Sequence, residues 1–171
     1  MIKTLIYFSL AAQLLSCKVK KSDVHILDFG KFTIETPSTW KKFIGTGEDS
    51  FIGRIEMGSL QFASFECGFN CDNLEEFLKE KTDTAHSFII YPPLSAPDGL
   101  GKSKAEFKVI NGRKAKIVIP LKPGDGVTGA YFDSIVDTKA VILQLEISGE
   151  NLSQKNQKSF LRAIKTIKFN P

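Results

Sequence analysis

Apolar and polar positions alternate along much of the chain, and that period of two predicts a body built mainly of strands. Phe32 and Ile34 fall on one side of an extended segment and Lys31, Thr33 and Glu35 on the other, so a first strand is expected over 26–35. Pro37 closes it, because proline brings no N–H to a ladder. Residues 51–56 and 60–67 read as two further strands around Met57-Gly58-Ser59. The period then changes. Leu74, Phe77, Leu78, Lys81 and Ala85 share one helical stripe, with Asn73 as N-cap and Glu76 three places on, which predicts a helix over 73–85.

Residues 91–101 hold three prolines and two glycines and read as an irregular loop. Phe107 and Val109 on one side of Asn111-Gly112, and Ala115, Ile117 and Ile119 on the other, predict a hairpin closed by a type I′ turn. A loop over 121–127 follows, and segments 128–137 and 140–148 are expected to pair through a turn at Asp137-Thr138-Lys139. In the second of these, Val141, Leu143, Leu145 and Ile147 form the core side. Asn151, with Gln154 three places later, opens a final helix to about Lys165, anchored by Phe160, Leu161 and Ile164, and Ile167 and Phe169 continue as an apolar tail. Hairpin connections imply antiparallel pairing, and two amphipathic helices need a sheet face to cover. The expected architecture is α+β: an antiparallel sheet of about six to seven strands flanked by two helices, in one domain over 26–171.

The start of the chain has a different character. Residues 1–16 carry Lys3 and then a nearly unbroken apolar run; as a helix the stretch 2–15 would span about 21 Å, short of the ~30 Å hydrocarbon core. It reads as a secretory signal segment and not as a permanent span. Its end, Leu14-Leu15-Ser16-Cys17, resembles the lipobox of bacterial lipoprotein precursors. The resemblance implies a diacylglycerol thioether on Cys17, cleavage just before it, and a chain held by fatty chains to a cell-envelope membrane, on its periplasmic or outer-membrane face. Residues 17–25, CKVKKSDVH, are polar and read as a tether between lipid and body.

A second resemblance covers the body. Phe32-x-Ile34-x-x-Pro37-x-x-Trp40, the Asn111-Gly112 hairpin, Gly129-Ala-Tyr131-Phe132 and the closing Phe160-Leu-x-x-Ile164-x-x-Ile167-x-Phe169 occur in an order similar to that of the PsbP-like superfamily. The resemblance implies an α/β/α sandwich; members of that superfamily include accessory proteins, but it transfers no catalytic residue and no function.

Composition narrows the function classes. Hydrophobic residues make up 42% and charged residues 25%, which excludes a disordered tail. Lys and Arg number 23 against 19 Asp and Glu, a formal charge of +4, and their scatter along the chain does not suggest nucleic acid as a partner. Of three cysteines, lipidation of Cys17 leaves Cys67 and Cys71 as a pair. Cys67-Gly-Phe-Asn-Cys71 lies between an expected strand and an expected helix, which suits a structural disulfide. The same spacing resembles the copper-handling Sco proteins, which leaves a redox or soft-metal pair, or two free thiols, as alternatives. That resemblance lacks the distant downstream histidine, since of the chain's two histidines, His25 and His86, none follows His86. Glu75 and Glu76 are adjacent on an expected helix and point apart, so they make no acid–base pair. Gly45-Thr-Gly47 and Gly124-Asp-Gly126 lack the Lys-Ser/Thr of a phosphate loop, and no Gly-x-Ser-x-Gly elbow is present. The expectation is a lipid-anchored, non-catalytic envelope domain that needs no cofactor and binds an envelope protein or ligand through loops 91–101 and 121–127. The alternative is a thiol-redox or copper-handling protein using Cys67 and Cys71.

Overall fold

A tight turn splits the first extended segment in two. Asp28 Oδ1 accepts the N–H of Gly30 at 2.8 Å, and Gly30 takes a φ of +82° that a side chain would resist. Strand β1 (Val24–Asp28) therefore folds back on β2 (Phe32–Pro37), where a single strand was expected over 26–35. Val24 and His25, read from sequence as the end of the tether, are already part of β1. The computed structural model describes residues 23–45, 47, 50–58, 60–69, 71–74, 103–136 and 142–170.

Eight more strands follow: β3 (Lys41–Ile44), β4 (Phe51–Glu56), β5 (Phe62–Gly68), β6 (Ser103–Ile110), β7 (Arg113–Pro120), β8 (Val127–Phe132), β9 (Gln144–Glu150) and β10 (Lys168–Phe169). They form two antiparallel sheets, β1-β2-β10 and β3-β4-β5-β9-β8-β7-β6. One helix is present among the described residues, α1 (Gln154–Ile164).

The two-helix α/β/α sandwich is thus overturned: this is a mostly β protein, with a small sheet and one short helix set against a larger sheet. The physical reason lies at the two ends of the chain. The Gly30 turn makes two strands of one, and the apolar tail adds a third, with Phe169 in register with Phe32. The helix expected over 73–85 lies outside the described residues from position 75 on. Leu74, assigned to its stripe, instead has a left-handed φ of +58°, with its N–H donated to Asp72 Oδ1 at 3.0 Å.

The core lies between the sheets. Phe65 of β5 meets Phe29 and Phe32 edge-on, with ring centroids 4.7 and 5.2 Å away, and Phe51 at 5.5 Å. Trp40 is buried near Phe160 of α1, and Phe132 of β8 meets Phe169 of β10. Leu145 and Ile147 are fully buried on β9, while Gln144, Glu146 and Ser148 alternate with them on the other face.

Two further boundaries differ from expectation. The β8–β9 ladder ends at Phe132 opposite Leu145, short of the expected strand end at 137, although the Ile135 N–H still reaches Leu143 O at 2.8 Å; the turn expected at 137–139 lies outside the described residues. Helix α1 is capped by Ser153, whose hydroxyl accepts the Asn156 N–H, and not by Asn151. Asn151 serves another purpose. Its Oδ1 accepts the Gly126 N–H at 2.9 Å and its own N–H is donated to Gly126 O at 2.8 Å, which pins the end of loop 121–127. The Asn111-Gly112 turn forms as a two-residue hairpin, with φ values of +47° and +75°.

Candidate functional site

Because side chains alternate along a strand, every second residue of the seven-stranded sheet turns away from the core. Register then decides which of these outward residues meet. Phe43 lies opposite Arg54, Arg54 opposite Ser64, and Ser64 opposite Ser148. In the next row Ile52 faces Glu66, Glu66 faces Glu146 and Glu146 faces Tyr131. At the β3 end these rows line an open groove of about 410 Å³, with Phe43, Ile44 and Phe62 along its rim and Ile52, Phe65 and Glu146 among its lining residues.

The groove's rim is apolar and its centre is charged. Phe43 and Phe62 remain 45% and 49% exposed, large for phenylalanines on a folded body. Between them lies Arg54, whose guanidinium carbon is 4.9 Å from the Phe43 ring centroid and 5.9 Å from that of Phe62. Arg54 also donates to Glu56 Oε1 at 3.0 Å. Gly53 makes the close packing of this edge possible: a Cβ there would fall 2.4 Å from Phe43 O and 2.6 Å from the Phe65 ring.

Glu146 is the most perturbed carboxylate of the site. Burial pushes its pKa up to about 7, the neighbouring Asp72 and Glu66 charges push the same way, and a hydrogen bond with Ser148 opposes them. Its Oε1 is buried without a hydrogen-bond partner. A carboxyl that changes charge near neutrality at the base of a groove is the kind of group binding sites employ.

Cys67 and Cys71, the two cysteines singled out from sequence, are both buried and both free thiols here. Cys67 belongs to the core between the sheets, whereas Cys71 donates its thiol to Glu66 O at 3.3 Å and its N–H to Gln144 Oε1 at 3.1 Å. Burial raises the Cys67 pKa and is the main cause lifting Cys71 to about 11. Both shifts oppose the thiolate that redox exchange or copper binding uses. Among the described residues no group of three or more metal-ligating side chains converges. His25 is half-buried opposite Thr36, away from both cysteines in the ladder.

Cys17, His86, the pair Glu75-Glu76 and loop 91–101 lie outside the described residues. The groove itself was not anticipated. The signal that marks it is weak: Phe43 and Phe62 sit on strands out of phase with the core positions, a pattern that single-strand alternation registers only as exposure.

No family model matches the chain, and no curated protein matches it. Among solved structures, a protein from Bacteroides thetaiotaomicron VPI-5482, determined at 1.50 Å resolution, is similar at 14% identity with a TM-score of 0.37. The match covers 88% of this chain and 49% of that one, so the chain spans about half the length of this neighbour.

Proposed function

We propose that the chain is a lipid-anchored, non-catalytic domain of the bacterial envelope that binds a partner's apolar segment in the groove beside β3. The observation that carries the binding reading is the exposed Phe43–Arg54–Phe62 arrangement over a groove lined mainly by apolar residues. Aromatic and arginine side chains held together are favoured anchors at protein interfaces. The Leu14-Leu15-Ser16-Cys17 segment supports the anchor. Among the described residues no helix is long and apolar enough to cross a membrane, so a lipid on Cys17 would supply the attachment for this part of the chain.

Two measurements test the reading. Cys17→Ser is expected to move the protein from the membrane fraction to the soluble fraction and to abolish incorporation of labelled palmitate; an unchanged distribution would remove the anchor. A photo-crosslinking residue at Phe62 in intact envelopes is expected to give a discrete heavier adduct that Phe43→Ala eliminates, while the same probe at exposed Leu121 gives none.

The bridge between Cys67 and Cys71 belongs to the same reading, since the envelope is oxidising. Protein taken from that compartment and denatured without reductant is expected to show two fewer thiols than after reduction. Two reactive thiols before reduction would place the pair permanently in the reduced form.

A further inference from the structure

The charges around the groove beside β3 do not balance. On the outward face of β3, β4, β5 and β9 stand four carboxylates, Glu56, Glu66, Glu146 and Glu150, against two cations, Lys41 and Arg54. This end of the sheet is acidic, although the chain as a whole carries +4. Arg54, the cation among the lining residues, is already engaged: it donates to Glu56 and lies against the Phe43 and Phe62 rings.

Glu66 and Glu146 have no such partner. They lie directly opposite each other on β5 and β9, a placement that sets Cβ atoms about 5 Å apart and makes like charges repel. Neither is ion-paired among the described residues, and Asp72, the other charge acting on Glu146, is negative as well. Glu146 Oε1 is buried with no donor, a cost that no described side chain offsets. A cation from outside would offset it. Ile52 precedes Glu66 in the same cross-strand row, and Phe43 begins the next, so apolar surface leads up to the two carboxylates. An apolar stem ending in a positive head fits that sequence of surfaces, which is the build of lysine and arginine. A metal ion fits less well, because no group of three or more ligating side chains converges among the described residues.

We infer that the groove recognises a basic side chain: the apolar segment it binds carries a lysine or arginine whose stem lies along Ile52 and whose charged head is held by Glu66 and Glu146. This inference rests on the reading of the groove as a partner-binding site. Glu146→Gln relieves the repulsion between the two carboxylates, so the variant keeps its fold while losing one holder of the cation. Stability and binding then move in opposite directions, which a purely structural carboxyl would not produce.

The test selects phage-displayed random heptapeptides on the full-length protein at about pH 8, above the point near 7 where Glu146 ionises. Selection on Phe43→Ala in parallel discards peptides that bind elsewhere. Peptides that need Phe43 are expected to share a lysine or arginine. Replacing that residue by glutamine should weaken the synthetic peptide about tenfold in calorimetry, the scale of a hydrogen bond to a charged group. Glu66→Gln combined with Glu146→Gln should weaken the basic peptide to a similar extent and leave its glutamine version unaffected. Peptides that need Phe43 yet share no basic residue, or that bind the double variant as tightly as the parent, overturn the inference and leave the groove standing. Binding abolished by a chelator also overturns it, by assigning the carboxylates to a metal ion. A selection that yields no Phe43-dependent peptide removes the groove reading itself, and this inference with it.

Discussion

Phe65→Ala is expected to cost about 3–5 kcal/mol of folding stability, the range for removing a buried phenylalanine. Phe65 is 2% exposed and is the ring through which the two sheets grip each other, touching Phe29, Phe32 and Phe51. Collapse around the void is hindered from both sides. Phe29 and Phe32 are held by the β1–β2 turn, and the β4 backbone at Gly53 already lies within contact distance of the ring. Since domains are stable by only about 5–15 kcal/mol, the loss would be a large share of the total. Urea unfolding followed by far-ultraviolet circular dichroism measures it, with Phe65→Leu as a control that should lose markedly less. A loss below about 1 kcal/mol for the alanine variant would mean that the aromatic cluster does not join the sheets.

Glu146→Gln is expected to act in the opposite direction and to depend on pH. In the folded protein Glu146 holds its proton to about pH 7, against an ordinary value of 4.5. Between those values the folded state binds more protons than the unfolded one, so its stability is greatest below about pH 4.5 and falls as pH rises through 7. The full penalty above pH 7 is on the order of 3 kcal/mol. Glutamine cannot ionise, so the variant should match the parent near pH 4 and exceed it by up to that amount near pH 8. The charges of Glu66 and Asp72 add to this penalty, so either amide variant, Glu66→Gln or Asp72→Asn, should lower the midpoint of the transition. A stability difference that stays constant between pH 4 and 8 would show that Glu146 is not the titrating group.

These two residues illustrate how unevenly the protein can be read from its chain. Leu145 and Ile147 announce a buried side of β9 through local alternation, and the structure buries both. Asn111-Gly112 announces its hairpin because a tight turn demands left-handed backbone at both positions, a property of two adjacent residues. The break at Asp28–Gly30 was legible in the same way, as a short side chain able to accept the N–H two residues on, but the apolar run through it suggested a continuous strand. At Leu74, assigned to the start of a helix, the N–H is instead taken by Asp72 in a local turn, and the rest of that expected helix lies outside the described residues.

Local pattern alone settled most of the extended segments, the turn at Asn111-Gly112 and the greasy side of β9, because each of those is decided by neighbours a few positions apart. The two-sheet arrangement, the row that sets Glu66 beside Glu146 and the aromatic clasp on Arg54 were decided only by folding. Each depends on partners tens of residues away, and a strand's period of two says which way a side chain points without saying whom it will meet.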